Sequence, residues 1–160
     1  MTTSTLAVPR GAAADYVELV KPRITLMVML TALVGFVMGS RGGVAFGALT
    51  VVLAGTGLVA AGASTLNMLL ERRTDGLMRR TQNRPLPAGR LRPAEALAWG
   101  GILTVSGIAV LAWLSGPLPA VVALVTWTSY LFLYTPLKTR TSLATVVGAL
   151  PGALPPVIGW

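Results

Sequence analysis

Residues 44–70 run without a single charged side chain, and the apolar character ends abruptly at Glu71. That is longer than the roughly 20 residues a helix needs to cross hydrocarbon. A helix is also how a single segment satisfies its own backbone there. Four further stretches are similarly apolar, at about residues 24–39, 94–114, 120–134 and 143–160. Apolar residues make up 54% of the chain and charged residues 11%, so a soluble fold would lack the polar faces it needs at helical period. The pattern predicts an all-α, polytopic membrane helical bundle with about five transmembrane helices. The last stretch carries Pro151, Pro155 and Pro156 and is expected to be kinked or broken.

Alternating the loops places residues 1–23, 71–93 and 135–142 on one side. That side holds every Lys and Arg of the chain except Arg41. The positive-inside rule then predicts a multi-pass protein of the cell's inner (cytoplasmic) membrane, with its N-terminus and the 71–93 loop in the cytoplasm. The net charge of +8 is thereby accounted for as a topology signal, with no nucleic-acid partner. The chain has no cysteine and no histidine, so these residues offer no disulfide, zinc site or imidazole haem ligand. Residues 12–20 are short and interrupted by Asp15 and Glu18, which suits an interfacial helix better than a signal peptide. The expected organisation is an N-terminal interfacial segment, 1–23, followed by a bundle, 24–160. Small residues are dense within it: Gly35 and Gly39, Gly43 and Gly47, and Gly148 and Gly152 each make a GxxxG spacing, and the second span adds Gly55, Gly57 and Gly62. Close helix packing is the expected reason.

Two of the five acidic residues, Glu71 and Asp75, stand where the second span leaves the apolar run. Extending that span as helix puts Asn67, Glu71 and Asp75 at i, i+4 and i+8. They form a slightly slanting ladder about 12 Å long on one face. An amide and two carboxylates are hard oxygen donors, which favours Mg2+ over zinc or copper. Magnesium is usually held by one or two carboxylates together with substrate phosphates, so the ladder suits a metal-bridged diphosphate. The plainer alternative is a set of surface ion pairs with Arg72, Arg79 and Arg80. Asn67 argues for the site, because it lies deepest in the apolar run, where an unpaired amide is costly. Asn67, Glu71 and Asp75 are thus the candidate catalytic, metal-binding residues.

Downstream, Arg79, Arg80, Arg84, Arg90 and Arg92 crowd one loop. Arg80 and Arg84 are the best candidates for gripping a diphosphate through guanidinium forks. Lys138 and Arg140 in the other basic loop, and Lys21 and Arg23 at the mouth of the first span, are either further diphosphate ligands or topology determinants. Pro93 and Glu95 read as the first turn of a helix.

The run Asn67-x3-Glu71-x3-Asp75, followed by Met78-x-Arg80-Thr81-x2-Arg84-Pro85-Leu86, resembles the first aspartate-rich motif of the UbiA-type intramembrane prenyltransferases. Within them it is most similar to the haem O-forming branch, the protohaem IX farnesyltransferases. Lys21-Pro22-Arg23, Tyr134-Thr-Pro-Leu-Lys138 and the stretch from Gly148 to Trp160 resemble further segments of that branch. The resemblance implies a nine-helix bundle around a central cavity, with farnesyl diphosphate held by magnesium between two acidic motifs. It implies farnesyl transfer to a vinyl group of haem b to give haem O, in a membrane shared with haem A synthase or oxidase assembly factors. Prenylation of a quinone or chlorophyll precursor is the alternative within the superfamily, and a transporter or a non-catalytic membrane fragment the alternative outside it. The chain departs from the pattern in two ways: Ala144 stands where the branch often has asparagine, and the second acidic motif is absent. The chain stops at Trp160 inside an apolar segment, so it is expected to be the N-terminal half of such a protein.

Overall fold

A computed structural model of the protein describes residues 11–138 and 140–160. The expectations for residues 1–10, including the topology role of Arg10, lie outside the described residues. Among the described residues the regular elements are all helices, joined by turns and by the 77–92 loop. Helix α1 spans Ala12–Leu19, α2 Pro22–Gly39, α3 Phe46–Gly76, α4 Pro93–Ser115, α5 Pro117–Leu137, α6 Ala144–Ala153 and α7 Pro155–Gly159. Helices α2 to α5 are long and apolar enough to cross a membrane. The expected fifth span is shorter and broken. Pro151 sits inside α6, and Pro155 and Pro156 force a new start at α7, since proline closes no helical bond to the preceding turn.

Helix α3 is the centre of the bundle. Half of its apolar window is buried, against 11% for α2, and its 31 residues reach about 46 Å, well beyond the roughly 30 Å of hydrocarbon. One end therefore projects past the apolar layer, and Asn67, Glu71 and Asp75 occupy its last three turns.

The middle of α3 is held by close backbone approach. A Cβ at Gly62 would meet Thr104 Oγ1 and lie 2.8 Å from the Gly100 carbonyl oxygen, while one at Gly107 would lie 2.8 Å from the Gly55 carbonyl oxygen. The glycines of α3 and α4 thus let the two backbones touch, the packing that small residues support in membranes. The Gly35–Gly39 spacing works in the same way, against the backbones of Pro156 and Trp160. Gly43 and Gly47 meet nothing within 4 Å, because Gly43 lies in the turn between α2 and α3 at φ 126°. Around this seam Val52, Val59, Leu111, Ala123 and Ile158 form the main core.

A second, smaller core of Leu19, Met68, Leu86, Leu91 and Ala96 lies beside the projecting end of α3. It joins α1, α3, α4 and the 77–92 loop. Helix α4 starts as expected, with Pro93 in its first turn and Glu95 Oε2 accepting the Arg92 backbone N–H at 2.8 Å.

Candidate active site

The projecting end of α3 gathers side chains from three other segments. Asn67 is 2% exposed and fully engaged: Lys21 Nζ donates to its Oδ1 at 2.8 Å, and its Nδ2 donates to Thr135 Oγ1 at 3.1 Å. Thr135 Oγ1 in turn donates to the Tyr130 carbonyl at 2.9 Å. Lys138 Nζ donates to Glu71 Oε1 at 3.1 Å, and Arg84 Nη1 to Asp75 Oδ2 at 2.6 Å. Each rung of the ladder is therefore capped by one cation. The burial cost of two carboxylates and an amide is offset by that pairing.

The local pairing considered from sequence does not form: among the described residues neither acid pairs with Arg72, Arg79 or Arg80. The partners come instead from residues 21, 84 and 138. Of the nine residues singled out, the structure brings together Asn67, Glu71, Asp75, Lys21, Arg84 and Lys138. Arg23, Arg80 and Arg140 are exposed, and among the described residues their side chains hold no hydrogen bond or ion pair.

Local backbone explains how these groups arrive. Lys21 sits between α1 and α2 at φ 47°, the left-handed region that non-glycine residues rarely adopt. The turn is pinned by Thr25 Oγ1 donating to the Val20 carbonyl at 2.7 Å, and it aims the ammonium at Asn67. Burial is the chief reason that the Lys21 ammonium is pushed down from 10.5 to about 8. Arg84 and, less strongly, Lys138 push the same way, and Glu71 and Asp75 oppose them. Arg84 is delivered by a loop folded onto the helix end, where Thr81 Oγ1 donates to the Asp75 carbonyl at 2.8 Å.

In α5 the helix widens to a π-helical turn over Ser129–Tyr134, just before Pro136. Proline has no N–H to close the helix and crowds the carbonyl one turn back, and the widened turn accommodates it. The same turn sets Thr135 toward Asn67. Sequence reasoning missed Thr135, and the Thr-Pro step after the aromatic run was the available signal. It also missed Tyr130 and Tyr134, which stack at 5.6 Å.

Below the ladder lies an apolar cavity of about 290 Å³ between α2, α3, α5, α6 and α7. Its α3 wall runs from Ser64, one turn short of Asn67, to Thr56, about 12 Å along the helix. Tyr130, Tyr134 and Gly148 close its upper part. Cationic side chains thus sit over hard oxygen donors at the mouth of an apolar chamber. That arrangement suits an amphiphile with a multiply anionic head and a hydrocarbon tail.

The profile of the UbiA prenyltransferase family matches residues 28–160. The chain belongs to that family. It is a multi-pass integral membrane member. Similar proteins include "Protoheme IX farnesyltransferase 1" of Pseudomonas entomophila, 42% identical over 153 residues, which are 95% of this chain and 51% of that protein. The protoheme IX farnesyltransferase of Geobacter sulfurreducens is 48% identical over 142 residues, 89% of this chain and 52% of its own length. That of Myxococcus xanthus is 45% identical over 148 residues, 92% of this chain and 50% of its own. The chain therefore spans about half the length of the curated relatives it matches. No solved structure matches the chain significantly.

A prenyl diphosphate enzyme would use magnesium, an ion that prefers hard oxygen donors. Asn67, Glu71 and Asp75 offer hard oxygens on one face, which fits. No three acidic residues converge among the described residues, so the fit is to an ion shared with phosphate oxygens.

Proposed function

We propose that this chain forms the donor half of a prenyltransferase that binds farnesyl diphosphate with Mg2+ and transfers the farnesyl group to a vinyl carbon of haem b, giving haem O. The observation that carries the reading is the ladder itself: Asn67, Glu71 and Asp75 each hold one cation, directly above an apolar cavity. The choice of farnesyl and haem rests on the similarity to the protoheme IX farnesyltransferases.

In this reading Glu71 and Asp75, with Asn67, hold magnesium, which when bound neutralises diphosphate charge and favours its departure. Lys21, Arg84 and Lys138 turn from the ladder to the phosphate oxygens. They stabilise the negative charge that builds as the C1–O bond breaks, an electrostatic role fixed in place before reaction. Arg23 and Arg80, exposed at the rim, are candidates to meet the diphosphate as it arrives. The cavity walls keep the tail ordered and shield the allylic cation from premature capture by water. The vinyl π electrons form the new C–C bond to C1, and one water molecule captures the cation left on the neighbouring carbon and releases a proton. The positive charge of the loops supports a mouth on the cytoplasmic side of the inner membrane, with residues 1–23 as the proposed interfacial flank. Haem A synthase and oxidase assembly factors would be the consumers of the product.

Membranes containing the protein, given haem b, magnesium and isotopically labelled farnesyl diphosphate, should yield labelled haem O by mass spectrometry. Labelled product on a quinone precursor, with haem b left unmodified, would overturn the choice of acceptor.

A further inference from the structure

Asp15 and Glu18, two of the three remaining acids, stand on α1 rather than in the ladder, and both face one arginine of the loop. Arg90 Nε donates to Asp15 Oδ1 at 2.9 Å, and Arg90 Nη2 lies 3.7 Å from Glu18 Oε2. The Asp15 side chain is only 5% exposed, so its charge is buried and the Arg90 guanidinium is its cation. A pair with one buried partner adds little net stability, which leaves orientation as the role to ask about here.

What it orients is visible on both sides of the pair. On α1, Leu19 is fully buried against Met68, Leu86, Leu91 and Ala96, and Tyr16 meets Trp99 edge to face at 5.7 Å. Two residues beyond Leu19 the chain enters the left-handed Lys21 turn, whose ammonium reaches Asn67. On the loop, the Arg90 and Leu91 backbone N–H groups both donate to the Pro85 carbonyl, at 2.9 and 3.3 Å. The residue next to that proline is Arg84, whose guanidinium holds Asp75. Arg90 is thus tied through Pro85 to one ladder cation, and Asp15 is tied through Leu19 to the other.

We propose that Asp15 and Arg90 are positioning residues: their part-buried pair latches α1 to the 77–92 loop and so sets Lys21 and Arg84 together over the ladder. The latch touches neither ladder nor ligand. It acts by fixing two cations that come from segments more than sixty residues apart in sequence. The proposal rests on the reading of the ladder as a diphosphate site.

The test is a double-mutant cycle on the purified chain in detergent, titrating inorganic pyrophosphate with magnesium by calorimetry and recording the melting temperature in parallel. Asp15→Ala and Arg90→Ala should each weaken pyrophosphate binding about tenfold. The double variant should be no weaker than the worse single, because one coupled unit is broken only once. The melting temperature shows that each variant is folded at the titration temperature, and affinity lost in folded protein is the informative reading. Asp15→Asn and Arg90→Gln, which keep the shape of the pair, serve if the alanine variants fail to fold, and should show the same non-additivity. Asp75→Ala is the reference for the site itself. Unchanged affinity in the latch variants beside lost binding in Asp75→Ala would overturn the latch and leave the site standing. Loss in Arg90→Ala with none in Asp15→Ala would also overturn it, making Arg90 a direct ligand. Full binding by Asp75→Ala would remove the reading on which the latch rests.

Discussion

The middle of α3 and its projecting end are built by opposite means. Its middle is fixed by absence of side chain: Gly55 and Gly62 let the α4 backbone come into contact, and nothing polar is needed. Its projecting end is fixed by charge, with Lys21, Lys138 and Arg84 brought from three distant segments onto Asn67, Glu71 and Asp75. The first arrangement tolerates no added volume. The second tolerates rearrangement, because each cation can leave its rung for a phosphate oxygen. A single helix therefore carries a rigid seam and an exchangeable site, and substitutions in the two parts should fail differently.

Adding volume to the seam should have the largest effect. Gly62→Leu would drive a side chain into Thr104 and the Gly100 carbonyl and should cost about 3 kcal/mol, seen as a large drop in melting temperature in detergent. If the variant instead stays stable and only loses ligand, the seam is not what holds the bundle. At the charged end the opposite pattern is expected. Arg84→Ala should weaken binding of magnesium pyrophosphate about 20-fold, the scale of a charge-assisted bond, with a smaller drop in melting temperature from the Asp75 carboxylate it leaves unpaired. Arg80→Ala, at an exposed position in the same motif, should change it about twofold or less. Equal effects would show that position within the loop does not matter.

Proton loss from Lys21 gives a subtler contrast. Its pKa of about 8 in the free protein means that the ammonium is mostly charged at pH 7 and mostly neutral at pH 9. Pyrophosphate affinity should therefore fall as pH rises through 8, by up to about tenfold over that interval. Lys21→Arg should remove that component, since a guanidinium stays charged. Thr135→Val, which takes the hydroxyl from Asn67 Nδ2, should weaken binding about fivefold, less than Arg84→Ala and more than Arg80→Ala.

Much of the fold was legible because hydrocarbon imposes a simple length rule. The apolar runs mapped onto α2 to α5, and the ladder formed because α3 continues as helix to Gly76. The prolines predict a kinked or broken fifth span, and the break falls at Pro155 and Pro156, with Pro151 kept inside α6. Partners were harder. Lys21, Arg84 and Lys138 stood out as candidates by charge alone, but Arg80 looked equal to Arg84, because which arginine reaches Asp75 depends on the fold-back that Thr81 pins. Thr135 was illegible for a different reason: its direction comes from a widened turn, which the 3.6-residue period does not describe. The Gly43–Gly47 spacing misled, since a motif defined by spacing cannot tell a helix from the turn that precedes one.

The central claim is that the charged end of α3 holds a diphosphate through a metal shared by Glu71 and Asp75. It is tested most directly by titrating inorganic pyrophosphate into the purified chain with and without magnesium, beside Glu71→Gln. Binding that requires magnesium in the wild type, and weakens about 100-fold in Glu71→Gln at unchanged melting temperature, is the predicted result. Equal binding with and without the metal, unaffected by Glu71→Gln, would contradict it.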